Sequence, residues 1–313
     1  MSAPSPRTVA AIDIGSNSLQ ITVARVHDDS VEILDRVKET VRLAGVIDRS
    51  HSIPQAAIDN AIVLLSSFRD LAQKYDAELR VSATAAIRSA RNAHDFVRQA
   101  REVAQTDVHV ISPMDEARLV RQGVNFGMPN VSDTPTLCVD VGGGSTELSV
   151  GCGEHMQVVT SVPQGAINVT TQALGKDPVP SSRARRVRRA LRARFKPSVS
   201  LIKGQHYEKV IATGGTIQRI ARIVASLRGQ PAHDVDGFLI TREELRGVFH
   251  RLIGAQDQAR RLKIPGMDPE RADVLLGGAV VFETIGHLLS VEEWVVSMSA
   301  LRTGLLTTSR WPL

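Results

Sequence analysis

Two stretches of the chain carry the same arrangement of an acid, small residues and hydroxyls. Ala11 to Val23 (AIDIGSNSLQITV) lies over Cys138 to Val150 (CVDVGGGSTELSV) without a gap, matching Asp13 to Asp140, Gly15 to Gly142 and Ser18 to Ser145. Each copy reads as a short apolar strand ending at an Asp, a tight turn, and a second alternating strand, the pattern of a β-hairpin. The turn is where chemistry is possible. Gly15, Gly142, Gly143 and Gly144 permit close approach and backbone conformations that a Cβ forbids, so successive N–H groups can converge on phosphate oxygens. Ser16, Asn17, Ser18, Ser145 and Thr146 add side-chain donors. Asp13 and Asp140 supply hard oxygen ligands suited to Mg²⁺ or Mn²⁺. A third small-residue turn, Ala212 to Thr216 (ATGGT), places the amides of Gly214, Gly215 and Thr216 between a strand at Val210 and Ile211 and a helical pattern.

These turns need a scaffold large enough to carry them. At 313 residues the chain exceeds the roughly 250 to 300 residues at which single cores stop growing, so two lobes with a cleft between them are expected. Strands are predicted at Val9 to Asp13, Leu19 to Val26 and Leu79 to Ala83, alternating with helices at Ile58 to Tyr75 and His94 to Val103. Asn92 stands where it could contact a phosphate or cap the second of these helices, and the cap is the preferred reading. Composition is that of a globular protein, 42% hydrophobic and 23% charged, with no apolar run near the ~20 residues that span a bilayer. Met1 to Arg7 reads as a polar leader without a signal core, and two cysteines, Cys138 and Cys152, give neither a disulfide framework nor a CxxC site. A cytoplasmic protein is expected, and a homodimer by base rate.

A formal charge of +5 suits an anionic partner. Nucleic acid is disfavoured, since only 4% of residues are aromatic and no recognition motif is present. The densest charge is Ser181 to Lys196 (SSRARRVRRALRARFK), where Val187, Ala190, Leu191 and Phe195 recur at helical spacing. The opposite face is expected to show Arg183, Arg185, Arg186, Arg189 and Arg192 together, guiding a polyanion or serving as a solvated or contact face. No GxxxxGK[ST] loop and no HExxH pair occurs.

The segments AAIDIGSNS, SATAAIRSARNAHDF, ISPMDEARLVRQGV, VDVGGGSTEL, ATGGT and PGMDPERADVLLGGAVV, in this order, resemble the exopolyphosphatase and guanosine pentaphosphate phosphohydrolase family across nearly the whole chain. The resemblance implies an α/β fold of two RNase H-like lobes of the actin, Hsp70 and sugar-kinase superfamily with a central cleft. Residues 1–128 with 300–313 would form the N-terminal lobe and 129–299 the C-terminal lobe. It also implies a Mg²⁺- or Mn²⁺-assisted phosphoanhydride hydrolase. Glu116 falls at the family's catalytic carboxylate and is expected to be the general base, although a first-turn acid after Pro113 is also favoured by the helix dipole. Glu147 matches the second carboxylate, as a metal-water ligand or supporting base, and Arg88 matches an arginine whose fork holds phosphate oxygens.

The sequence departs from the family at Asp115, where Glu is common, and at Gln20, where a longer or more basic side chain is common. It departs again at VSMSALRTG, where members often read S-D-G-x-R-E-G, so that acids are missing at Met298 and Thr303. Three activities stay open: release of orthophosphate from inorganic polyphosphate, conversion of guanosine pentaphosphate to tetraphosphate, and a non-catalytic sensor of polyphosphate or alarmone. The composition reads against membrane attachment.

Overall fold

The computed structural model describes residues 6–47, 50–153 and 155–312. Met1 to Ser5, most of the expected polar leader, lie outside the described residues. The chain divides into two units: Met1–Phe126 with Ala300–Leu313, and Gly127–Ser299.

The first unit is built on a five-stranded sheet of β1 (Arg7–Ile14), β2 (Ser18–Val26), β3 (Val31–Thr40), β4 (Glu78–Ala83) and β5 (Val108–Val110), in the order β3-β2-β1-β4-β5. Residues 9–14 of β1 are buried on both faces, which is why the strand reads as a continuous apolar run up to Asp13. β3 lies at the edge, and its Arg36, Lys38 and Glu39 keep that edge in water. β1 and β2 form the antiparallel hairpin expected from the sequence, and β4 joins β1 in parallel. The predicted helices occur at Gln55–Lys74 and Ala93–Ala104. A short helix, Leu301–Thr307, packs on β1 and β2. Its last turn is fixed by buried Arg80 of β4, whose Nη1 donates to the carbonyls of Leu305 (2.7 Å) and Thr308 (2.8 Å) and satisfies groups that a helix end leaves open.

Asn92 does not cap its helix. It occupies the N-cap position but makes no capping hydrogen bond; its amide instead pairs with the backbone of Ile53, donating to the carbonyl and accepting from the N–H, both at 2.9 Å. Two bonds to a segment 39 residues away outcompete one local cap.

The second unit repeats the plan. Its six-stranded sheet comprises β6 (Thr136–Val141), β7 (Thr146–Cys152), β8 (His155–Val162), β9 (Lys209–Thr213), β10 (Leu239–Thr241) and β11 (Glu293–Val296), in the order β10-β11-β9-β6-β7-β8. The run β8-β7-β6-β9-β11 reproduces β3-β2-β1-β4-β5, hairpin and parallel neighbour included, with β10 added at one edge. The helices Ser181–Lys203, Gly215–Leu227, Arg242–Ala255 and Leu275–Leu289 share one core with this sheet, centred on Phe195, Phe249, Phe282 and Trp294. No helix among the described residues is long and apolar enough to cross a membrane.

In the Ser181–Lys203 helix the buried stripe is Ala184, Val187, Leu191, Phe195, Ser198, Val199 and Ile202. Ala190, expected inside, is exposed, because the stripe advances by threes and fours from Ala184 and passes over it. The five arginines do not share one face either. Arg183 lies on one flank, its Nη1 donating to the Leu174 carbonyl (3.0 Å), and Arg192 lies on the other flank, part-buried. Arg185, Arg186 and Arg189 point outward, exposed.

Candidate active site

In the first unit the turn after β1 is closed by Gly15 N–H donating to the Ser18 carbonyl (3.1 Å). The carbonyls around it are held from behind: that of Ser16 accepts from Ala44 N–H, and that of Asn17 from Val41 and Arg42 N–H. With the acceptors tied back, the N–H groups of Ser16 and Asn17 donate to no acceptor among the described residues. The Asn17 Nδ2 is also buried without a partner among them. Orphaned buried donors are rare in folded proteins and mark a place prepared for an acceptor.

The second unit does the same with different residues. Gly142 N–H donates to the Ser145 carbonyl (3.0 Å), the counterpart of the bond closing the first turn. Ala166 N–H donates to the Gly142 carbonyl (2.9 Å), Ile167 N–H to that of Gly143 (2.9 Å), and Asn168 Nδ2 to that of Gly144 (2.8 Å). The N–H groups of Gly143, Gly144 and Ser145 have no acceptor among the described residues. Thr146, expected to offer its hydroxyl, does not: it is fully buried and its Oγ1 donates to the Gln164 carbonyl (2.7 Å), so its donor is already used in seating the turn. Gly165 lies so close behind this turn that a Cβ on it would sit 2.4 Å from the Gly143 carbonyl carbon.

The third turn belongs with the second. Asp140 is opposite Thr213 in the parallel pairing of β6 and β9, and its Oδ1 would lie 2.6 Å from a Cβ at Gly214. Gly214 also has φ of +91°, which disfavours any side chain, and it leads into the amides of Gly215 and Thr216 at the start of a 13-residue helix. Thr213 Oγ1 is buried without a partner among the described residues. Neither Gly15 nor Gly142 has a positive φ; the one turn glycine with this backbone requirement is Gly214.

Around the first turn the charged groups converge. Asp13, 9% exposed, has an Oδ1 that is buried and accepts no hydrogen bond among the described residues. Burial pushes its carboxyl up to about 7, with Arg302 pulling it down and Glu116 pushing it further up. Glu116, 7% exposed, stands in the first turn of the Pro113–Gly127 helix. Its neighbour Asp115 is occupied with capping, accepting from Ser112 Oγ (2.6 Å), so the two acids divide the local and inward roles. Arg88 Nη1 donates to Glu116 Oε2 (3.0 Å) and to the Ile111 carbonyl (2.8 Å), leaving Nε and Nη2 without acceptors among the described residues. Burial raises the Glu116 pKa against the charge and hydrogen bond of Arg88, which lower it.

In the second unit Glu147 is directly opposite Asp140 on the neighbouring strand, so the two carboxylates share a face of the sheet. Glu147 is 2% exposed and accepts from Ser161 Oγ of β8 at 2.8 Å. At the matching place in the first unit Gln20 is opposite Asp13 and donates to Ser18 Oγ (2.9 Å). The repeat therefore pairs an acid with an amide in one unit and with a second acid in the other.

Among the described residues no three His, Cys, Asp or Glu side chains gather into an all-protein metal cage. The donors present do fit a divalent ion that keeps most of its waters. Asp13 offers a buried oxygen, and Asp140 with Glu147 offers adjacent carboxylates, which is how Mg²⁺ is usually held beside phosphates.

Sequence reasoning overlooked Arg302 and Ser161. Arg302 lies inside the departed segment VSMSALRTG, and its arginine, kept at the family's position, was the available signal. Ser161 carried none, because its role depends on the register of β8 against β7.

The Asp13 shift gives a testable result. A folded-state pKa near 7, against an ordinary 3.8, means the folded protein binds the extra proton, so its stability falls as pH rises from about 4 to about 7. Asp13→Asn lacks that loss. In metal-free buffer the variant should gain on the parent by up to about 4 kcal/mol between pH 4 and pH 8, read from denaturant melts at the two pH values. Parallel pH profiles for the two proteins would contradict the assigned burial.

Comparison with known proteins gives a consistent result. The profile of the Ppx/GppA phosphatase family matches residues 22–310, which includes the second and third turns and begins just after the first. Among solved structures, an exopolyphosphatase-like protein is 25% identical, covering 97% of each chain with a TM-score of 0.86. The PPX-GPPA enzyme of Aquifex aeolicus is also 25% identical, covering 96% of this chain and 99% of its own, with a TM-score of 0.80. An exopolyphosphatase from Cytophaga hutchinsonii, 24% identical over 96% of both chains, shares the fold with a TM-score of 0.84.

Proposed function

Because the chain belongs to the Ppx/GppA phosphatase family, we propose that it is an exopolyphosphatase, removing orthophosphate from the end of inorganic polyphosphate. The observation that carries this reading is the pair of repeated turns whose carbonyls are bound from behind while the N–H groups of Ser16, Asn17, Gly143, Gly144 and Ser145 have no acceptor among the described residues. Such donors suit the non-bridging oxygens of a phosphate chain and ask nothing of a base or sugar.

In this reading Glu116 takes the proton of a water whose oxygen bonds to the terminal phosphorus, while the bond from that phosphorus to the bridging oxygen breaks and the shortened chain leaves. A carboxylate whose pKa is raised by burial is better matched to that proton than an exposed one. Arg88 orients Glu116 with Nη1 and turns its remaining nitrogens to a phosphate. The amides of Ser16, Asn17, Gly143, Gly144, Ser145, Gly215 and Thr216 bind phosphoryl oxygens, and Arg302 balances Asp13. Mg²⁺ or Mn²⁺ on Asp13, or on Asp140 with Glu147, would supply further positive charge to those oxygens.

Supply of orthophosphate from long polyphosphate, guanosine pentaphosphate and ATP, each with Mg²⁺, separates the alternatives. Polyphosphate should show a kcat/KM at least about tenfold above the others, since 4% aromatic content leaves little to stack on a base. Preference for guanosine pentaphosphate would move the assignment to the second activity of the resemblance. Tight binding without release from any of the three would make the protein a sensor.

A further inference from the structure

The Ser181–Lys203 helix carries seven arginines, two lysines and no acidic residue. Only Arg188 forms an ion pair among the described residues, with Glu283 at 2.8 Å, and its guanidinium also lies over the Phe249 ring, 5.5 Å from the centroid. Among the described residues the other cations are not compensated by carboxylates in ion-pair range. Uncompensated charge on one helix costs self-repulsion, about 0.2–0.5 kcal/mol for each like pair at i,i+4, which an anionic partner would remove.

Arg185, Arg189, Arg192 and Lys196 follow one another at steps of four, three and four residues, so they line one side of the helix as a single row. At 1.5 Å per residue the row is about 16 Å long. Three of its members are exposed and Arg192 is part-buried, with its Nε buried and without a partner among the described residues. The arginine charges reach the Leu275–Leu289 helix, where His287 is held below its ordinary pKa by burial first and then by Arg192 and Arg188.

We infer that this row is a docking track for the tail of a long phosphate chain, distinct from the turns that hold the end being cleaved. The track reads charge alone. Its exposed positions contain no aromatic ring for stacking and no Asn or Gln to address a base edge, as single-stranded or duplex nucleic acid recognition would require. A flexible polyanion without bases matches what the surface offers. This inference rests on the exopolyphosphatase reading and predicts that affinity increases with chain length.

The test uses the full chain with Arg185→Gln and Arg189→Gln together, after a thermal melt has shown that the helix is intact. For long polyphosphate at about 0.1 M salt, Kd should rise roughly tenfold, and the slope of log K against log salt should flatten by about 1.4, the loss expected for two contacts. Tripolyphosphate, held on this inference by the turns alone, should be hydrolysed with kcat/KM within about twofold of the parent, since the two removed charges, screened by salt, act weakly beyond about 10 Å. An unchanged Kd for long chains would overturn the inference, as would an equal loss for tripolyphosphate, which would put the arginines at the cleavage site. A greater loss for an oligothymidylate of matching charge than for polyphosphate would also overturn it, making the surface one for nucleic acid. Because binding is read separately from turnover, absence of hydrolysis by the parent would defeat the proposed function while still leaving the track measurable.

Discussion

Glu116→Gln should lower kcat for orthophosphate release by roughly 1,000-fold, within the range of about 10² to 10⁴ that a positioned general base contributes. Gln keeps the shape and still accepts a hydrogen bond from Arg88, but it cannot take a proton. The same change should leave polyphosphate binding within about threefold, because on the proposed function the chain is held by the turn amides and by the Arg88 nitrogens that have no acceptor among the described residues, rather than by this carboxylate. Stability separates lost chemistry from lost structure. Burial raises the Glu116 pKa, so the neutral amide removes a desolvation cost at neutral pH even as Arg88 loses a charged partner. The melting temperature should therefore stay close to that of the parent. A kcat within tenfold of the parent would remove Glu116 from the role of base.

Gly165→Ala should cost the second unit both activity and stability. A Cβ there would meet the Gly143 carbonyl carbon at 2.4 Å, the Gly143 oxygen at 2.5 Å and the Gly142 oxygen at 2.6 Å, all backbone atoms that cannot rotate away. Either the 164–168 segment moves back, breaking the bonds that tie down the turn carbonyls, or the turn itself moves forward. Overpacking of this kind costs about 1 to 3 kcal/mol, and a displacement near 1 Å at a positioning element costs about 100-fold in rate. We expect kcat/KM to fall about 100-fold with a melt lowered by several degrees. Gly247→Ala is the matched control: it meets nothing within 4 Å and lies inside a helix, where Ala is the better former, so activity should be unchanged and stability equal or slightly higher. Full activity in Gly165→Ala would show that the rear clamp does not set the turn.

What the sequence displayed well was local. The two hairpins were readable because an apolar run, an Asp and a cluster of small residues occur consecutively, and strand pairing across a tight turn follows from neighbours in sequence. The two predicted helices of the first unit were readable from their period. The parallel neighbours β4 and β9, and the repeated strand order they complete, depend on contacts across tens of residues that no local pattern records.

The same division runs through the site. Glu116 and Arg88 were each singled out, but not that they bind one another, because 28 residues separate them and the pairing depends on where the Pro113–Gly127 helix docks. Arg302 is brought to Asp13 by a helix at the other end of the chain, fixed through Arg80. Asn92 and Thr146 were given local roles that distant backbone groups, Ile53 and Gln164, took instead. In the basic helix the period placed the buried stripe correctly at Val187, Leu191 and Phe195 and misplaced Ala190, since Ala is small enough to read as either face.

On the proposed function, the turn amides that have no acceptor among the described residues bind phosphate. The most direct test follows backbone N–H resonances of isotope-labelled Glu116→Gln protein as tripolyphosphate is added with Mg²⁺. The amides of Ser16, Asn17, Gly143, Gly144 and Ser145 should shift most, together and saturably, toward the low field of a charged acceptor, while those of Gly15 and Gly142, already bonded within their turns, should shift least. Saturable binding that leaves these five amides unmoved would place the phosphate chain elsewhere on the molecule and remove the turns from the site.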